Sequence, residues 1–271
     1  MEHVSKESET NYIETFYADK DESNRFKTQH GKVEYLTTMH YIKQYLYPYS
    51  GYTVAEIGAG TGAYSFEIAS MGHTVTAVDL LDKHVEILKS RVDTERLPVT
   101  VIKGNAVKLD LPDSEFDMVL LLGPMYHLFT VQEQRDALRE ACRICKPNGV
   151  IFIAYCLQDA TIFNFLFREK HISAYTEHHI NHKDYSLINN EKEFFNLYRI
   201  PDIDRLLRNL DVTMEHRIAS DGLTNYARSD IDALSKIEFA EYMQWHFATC
   251  ERSDMIGCSH HLLDIVRKTF Y

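Results

Sequence analysis

Apolar and polar residues alternate in blocks through the middle of the chain. Apolar runs of five to seven residues occupy 53–58, 74–79, 99–103, 116–122 and 150–156. The stretches between them have helical periodicity, which predicts helices at about 62–71, 83–93 and 132–145. Continuous Val, Ile and Leu runs are typical of strands buried on both faces, in a parallel sheet covered by helices. The pattern therefore predicts a doubly wound, mostly parallel α/β sheet.

The flanking segments predict the organisation around this sheet. The first fifty residues are rich in tyrosine and phenylalanine and predict a helical lid, whereas a second aromatic and histidine-rich segment interrupts the alternation like an inserted cap. We expect four parts: a lid at 1–50, an α/β core at 51–157, a cap at 158–200, and the rest of the core at 201–271.

The last part of the chain predicts two helices and two strands. Pro201 is suited to the first turn of a helix over 201–210, because its missing N–H would have no helical partner there. An amphipathic helix is predicted at about 229–249, and strands at 211–219 and 259–268.

Three glycines at alternate positions follow the first apolar run. Gly58, Gly60 and Gly62 lack a Cβ, so a ligand can lie directly against this backbone and meet the free N–H groups of the next helix. The pattern predicts a nucleotide-type ligand at 56–62. Gly58, Gly60 and Ala63 also satisfy G-x-G-x-x-G/A, so a dinucleotide-dependent oxidoreductase is an alternative.

The string EIGAGTGAY at 56–64 resembles motif I of the class I S-adenosylmethionine-dependent methyltransferases. The resemblance implies a seven-stranded, Rossmann-like sheet that ends in an antiparallel hairpin, and S-adenosyl-L-methionine as the cofactor. It also implies a set of residues around the methionine part of the cofactor: Glu56, Gly58, Ala59, Gly60 and Gly62.

The ends of the second and third strands supply further cofactor candidates. Asp79 can accept ribose hydroxyl hydrogens, or it can cap the following helix. The resemblance places Leu80 on the adenine face, and Asn105 and Ala106 at the adenine amino edge. The family often has Asp where this chain has Asn105. The alternative is that Asn105 is an ordinary turn residue.

The fourth strand ends in LGPMYHL at 122–128, which resembles a small-molecule subset of the family with Gly-Pro-x-Tyr-His-Leu. The resemblance places Gly123 beside the sulfonium, and Tyr126 and His127 beside the methyl acceptor. His127 is the candidate general base because imidazole titrates near neutral pH, although it could instead only shape the pocket.

The segment before the first strand often closes over the cofactor in this family. We therefore expect Tyr17 to line the methyl pocket and Arg25 to pair with the methionine carboxylate. The alternative is a surface helix in which Glu22 and Arg25 form an i, i+3 pair.

Charge and composition limit the partners. Forty acidic against 29 basic residues give a net charge of −11, which disfavours a nucleic-acid partner. No apolar run is long enough to span a membrane, and the polar N-terminus lacks signal-peptide features, so we expect a cytoplasmic protein. The five cysteines predict free thiols, and no metal is expected because the spacing of His171, His178, His179 and His182 fits no zinc pattern.

These observations predict an enzyme that transfers a methyl group to a small molecule by in-line displacement, as a monomer or homodimer. A tRNA or protein methyltransferase, a dinucleotide-dependent oxidoreductase and a non-catalytic cofactor-binding protein stay open as alternatives.

Overall fold

A mixed sheet forms the centre of the computed structural model, which describes residues 13–15, 17, 26–171, 180–181, 183–187 and 195–269. Five parallel strands come first in the chain: β1 (Thr53–Ile57), β2 (Thr74–Asp79), β3 (Val99–Lys103), β4 (Phe116–Leu121) and β5 (Cys145–Leu157). The later strands are β6 (Ile180–Asn181), β7 (Ser186–Leu187), β8 (Leu197–Tyr198), β9 (Val212–Ala219) and β10 (His261–Lys268).

The strand order confirms the predicted fold class. The main sheet runs β3-β2-β1-β4-β5-β10-β9, and β10 is antiparallel to both of its neighbours. The short strand β8 pairs in parallel with the end of β5, while β6 and β7 form a separate two-stranded ladder. The order reverses between β1 and β4, and a crevice opens there at the carboxyl ends of the parallel strands.

Helices cover both faces of the sheet. They are α1 (Gln29–Leu46), α2 (Ala63–Ser70), α3 (Asp82–Glu95), α4 (Val131–Ile144), α5 (Gln158–Thr161), α6 (Ile200–Leu207), α7 (Arg228–Asp232), α8 (Lys236–Thr249) and α9 (Ser253–Ile256). A π-helix spans Ile162–Arg168, and 3-10 turns span Pro124–His127 and Thr224–Tyr226.

Alternate residues of the buried strands contribute to two apolar layers. In β4, Met118 and Leu120 pack on the face covered by α1, α2 and α3, whereas Val119 and Leu121 pack on the face covered by α4 and α6. Burial on both faces explains why these strands are apolar without alternation, and the two layers hold the carboxyl ends of the strands in register.

Two predicted boundaries differ from the structure. The helix predicted at about 229–249 is split, because Ser235 accepts from the Glu238 N–H while the Glu238 side chain accepts from the Ser235 N–H, which starts a new helix. The strand predicted at 150–156 begins earlier, at Cys145: Phe116 faces Cys145 and Met118 faces Val150, so residues 146–149 bulge opposite a single residue of β4.

The lid and cap divisions stay predictions. Within the lid, α1 and the helical residues 13–15 and 17 are described, whereas Arg25 lies outside the described residues. Within the cap, three of the four clustered histidines also lie outside them, and the final part returns to the main sheet as β8.

Candidate active site

A single cleft at the carboxyl ends of β1, β2 and β4 contains most of the predicted site. The predicted residues that line it are Tyr17, Glu56, Gly58, Ala59, Gly60, Asp79, Leu80, Asn105, Ala106, Gly123, Tyr126 and His127. Gly62 caps α2 at the rim of the glycine loop. The topology thus brings together side chains that are as much as 110 positions apart in the sequence.

The glycine loop has a shape that other residues would not reproduce. Gly58 has φ +77°, and a Cβ there would lie 2.8 Å from Pro124 Cδ in the turn after β4. Gly62 has φ +82°, and its Cβ would lie 2.7 Å from side-chain atoms of α2 and α3. A Cβ on Gly60 would meet no heavy atom within 4 Å. The loop is therefore closed beneath and open towards the cleft, which fits a ligand lying against backbone.

Arg91 of α3 holds this loop from behind, a role that the sequence pattern did not indicate. Its Nη1 donates to the carbonyl oxygens of Thr61 (2.8 Å) and Gly62 (3.2 Å). The guanidinium carbon lies 3.8 Å from the centroid of the Phe66 ring. These contacts hold the carbonyl groups of Thr61 and Gly62 in place.

Asp79 accepts hydrogen bonds on both carboxylate oxygens, and its ribose role stays a prediction. Its Oδ1 accepts from the N–H of Leu81, the residue before α3, at 3.0 Å, and this contact is not a side-chain cap of that helix. Its Oδ2 accepts from the N–H of Gly60 at 2.7 Å and so ties the end of β2 to the glycine loop. His84 Nδ1 is 3.1 Å from Oδ1, and both side chains are 7% exposed. The carboxylate is therefore held rigidly at the wall of the cleft.

Glu56 is an acid with no cationic side chain in contact among the residues that the structure describes. It is 2% exposed and accepts a hydrogen bond from the Ser65 hydroxyl. Burial raises the pKa of Glu56 from 4.5 to about 8, despite the opposing effect of that hydrogen bond. At neutral pH its carboxyl is therefore mostly protonated.

The residues after β3 line the cleft on the side expected for adenine. Asn105 Oδ1 accepts from the N–H of Val107 at 3.1 Å. Asn105 therefore forms a turn, as the alternative interpretation of this residue predicted. Its side chain is exposed and lines the cleft next to Leu80 and Ala106. The carboxamide NH₂ points to no protein acceptor among the described residues, and the adenine contact stays a prediction.

The turn after β4 forms the other end of the cleft. The Tyr126 hydroxyl donates to the Leu122 carbonyl at 2.7 Å, which closes the turn and leaves the ring on the wall. Phe195, from the predicted cap, packs edge-on with its centroid 5.2 Å from Tyr126 and 5.3 Å from His127. Phe195 was not identified as a site residue from the sequence, because the neighbouring sequence does not distinguish it from the other aromatic residues of the predicted cap.

Tyr17 crosses the cleft. Its hydroxyl is 2.9 Å from His127 Nε2, and its ring centroid is 5.4 Å from that of His84. Lys83 donates to the Tyr17 carbonyl at 3.0 Å. One aromatic side chain of the N-terminal segment thus connects the β2 side of the cleft to the β4 side.

Comparisons with known proteins place the glycine loop, Asp79 and the β4 turn in one domain. Residues 54–149 match the model of a methyltransferase domain. Over 108 residues, or 39% of this chain, the sequence is 36% identical to a Cypemycin N-terminal methyltransferase from Streptomyces sp. It is 29% identical over 108 residues, or 40% of this chain, to a Ubiquinone biosynthesis O-methyltransferase from Caulobacter vibrioides. The chain covers 42% of the length of each of these relatives.

A solved structure extends the likeness of fold. The PH0226 protein from Pyrococcus horikoshii superimposes with a TM-score of 0.57 at 17% identity, covering 94% of this chain and 99% of that one. The domain match and the relatives confirm the resemblance to the class I S-adenosylmethionine-dependent methyltransferases, whereas the solved structure shows the fold alone, and the Gly-Pro-x-Tyr-His-Leu subset stays a prediction. Across the described ranges, no helix has the length and apolar character needed to cross a membrane.

Proposed function

We propose that this protein binds S-adenosyl-L-methionine and transfers its methyl group to a small-molecule acceptor. The observation that carries the proposal is one cleft that combines an open glycine loop, a rigidly held carboxylate and an aromatic turn. Apart from Ile13, Tyr17 and Phe26, the residues that line this cleft lie within the segment that matches a methyltransferase domain.

The cleft residues fit the cofactor in three ways. The loop at Gly60 has open space above its backbone, where the methionine part would lie. Asp79 offers a fixed acceptor for ribose hydroxyl groups, and Leu80, Asn105 and Ala106 line the adenine side. When bound, the cofactor would supply an electrophilic methyl group on its sulfonium.

The residues at the β4 end would prepare the acceptor. Tyr17, Tyr126 and Phe195 surround His127 with aromatic surface, which suits an acceptor that is flat or partly apolar. The acceptor would approach in line, opposite the departing sulfur, after water has been excluded. His127 Nε2 contacts the Tyr17 hydroxyl, so a proton taken from the acceptor would reach His127 through Tyr17 or after Tyr17 has moved.

The relatives do not indicate whether a nitrogen or an oxygen atom of the acceptor would be methylated. Their names specify an N-terminal methyltransferase in one case and an O-methyltransferase in the other, although both match the same part of this chain. The net charge of −11 supports a small or uncharged acceptor over tRNA.

A labelling experiment tests the proposal. Purified protein is incubated with methyl-labelled S-adenosyl-L-methionine and an extract of small metabolites, and labelled products are identified by mass spectrometry. We expect a labelled product whose mass is below that of a peptide. The His127→Ala variant should not form this product. The control variant His73→Ala, which changes a buried histidine outside the cleft, should still form it. Label found only in protein or RNA would contradict a small-molecule acceptor, and label in no fraction would contradict methyl transfer.

A further inference from the structure

His84 lies beside Asp79 in the cleft, and one of its ring nitrogens has no hydrogen-bond partner among the described residues. It belongs to the first turn of α3, is 5% exposed and lines the cleft. Its Nδ1 lies 3.1 Å from Asp79 Oδ1. Because a carboxylate only accepts, Nδ1 carries the hydrogen, and Nε2 of the neutral imidazole then has a free lone pair. Within the described ranges, no hydrogen bond reaches this Nε2.

The lone pairs of Asp79 are nearly all used. A carboxylate offers about four acceptor positions. Three are taken, by the N–H of Gly60 on Oδ2, and by the N–H of Leu81 and His84 Nδ1 on Oδ1. About one position remains, on Oδ2. A ribose presents two neighbouring hydroxyl donors, so Asp79 alone leaves one of them without an acceptor.

We propose that His84 completes the ribose site: its Nε2 accepts one hydroxyl hydrogen while Asp79 Oδ2 accepts the other. The inference rests on the proposed function, since it assumes a cofactor with a ribose diol. His84 then has two tasks, because the same ring also orients the carboxylate through Nδ1. It is a specificity-determining residue of the cofactor site.

Two substitutions separate these tasks. In His84→Asn the side-chain amide can still donate to Asp79 from near the Nδ1 position, but no acceptor remains near Nε2. In His84→Gln the longer side chain carries an amide oxygen to the Nε2 region, and the donor to Asp79 is lost. His73→Asn is the matched control, since His73 is buried and its Nδ1 contacts the Tyr52 N–H outside the cleft.

The experiment measures binding of S-adenosylhomocysteine and its 2′-deoxy and 3′-deoxy analogues by calorimetry at pH 8. Circular dichroism checks that each variant is folded. Each missing hydroxyl should weaken binding to the unmodified protein about fivefold, the effect of one hydrogen bond. In His84→Asn, one deoxy analogue should bind as well as the parent ligand, while the other is still discriminated about fivefold. His84→Gln should still discriminate in part against the deoxy analogue that His84→Asn no longer distinguishes.

Each result decides a different claim. If His84→Asn still discriminates against both analogues, His84 is only a support for Asp79 and the inference is wrong. If the unmodified protein binds none of the three ligands, the proposed function fails, and this inference fails with it. If His73→Asn also loses discrimination, the effect is not local to the ribose site and the assignment to His84 is wrong.

Discussion

Glu56→Gln should change how the stability of this protein depends on pH. The pKa of Glu56 is about 8 in the folded protein, against an ordinary value of 4.5, because the carboxyl is buried. A carboxyl whose pKa is raised on folding binds its proton more tightly in the folded state. Its contribution to stability is complete below pH 4.5 and is lost as the pH rises towards 8.

The size of the effect follows from the two pKa values. Each pH unit between them costs about 1.4 kcal/mol of unfolding free energy. The gap of 3.5 pH units, from 4.5 to about 8, gives a total of about 5 kcal/mol, of which about 3 kcal/mol is lost at pH 7. Glutamine cannot ionise, and its oxygen can still accept from Ser65. The difference in unfolding free energy, variant minus unmodified protein, should therefore rise by about 1.4 kcal/mol per pH unit from pH 5 to pH 7.5.

Chemical denaturation at several pH values measures this difference. The slope is informative even if the glutamine amide has a constant cost, because that cost does not vary with pH. Glu67→Gln is the control, since Glu67 is a partly exposed residue of α2 that pairs with Lys43, and its difference should stay nearly flat. A flat difference for Glu56→Gln would show that Glu56 is ionised in the folded protein and refute the reasoning.

Three further predictions concern the walls of the cleft. Gly58→Ala should lower the unfolding free energy by about 2–4 kcal/mol in denaturant titrations, because it strains a positive φ and drives a Cβ against Pro124; an unchanged midpoint would contradict the loop geometry. Tyr17→Phe should weaken S-adenosylhomocysteine binding about fivefold in calorimetry through loss of the His127 contact, and Tyr17→Ala should weaken it more; normal affinity in both would remove Tyr17 from the site. Arg91→Gln should raise the Kd for the same ligand about tenfold by releasing two loop carbonyls; an unchanged Kd would restrict Arg91 to a purely structural role.

The sequence was sufficient for the parts of the fold that depend on local pattern. Buried strands without alternation predicted the parallel sheet, and the spacing of Gly58, Gly60 and Gly62 predicted a loop whose backbone is open to the cleft, because both are properties of contiguous residues. The break at Ser235 was also local, in the form of a capping box with Glu238, but the longer amphipathic pattern obscured it.

What the sequence could not supply depends on contacts between distant segments. Arg91 follows the loop it supports by about thirty positions, and Phe195 reaches His127 from the predicted cap. His84 looks like an ordinary helix residue until the fold places its Nδ1 against Asp79. The bulge at 146–149 depends on the register between β4 and β5, which no local pattern encodes.

Calorimetric titration of the unmodified protein with S-adenosylhomocysteine, and separately with NADH, tests the central claim most directly. The open glycine loop and the carboxylate of Asp79 predict one site per chain with micromolar affinity for S-adenosylhomocysteine, and no heat of binding with NADH. Binding of NADH without binding of S-adenosylhomocysteine would contradict the assignment of the cleft and favour the dinucleotide alternative.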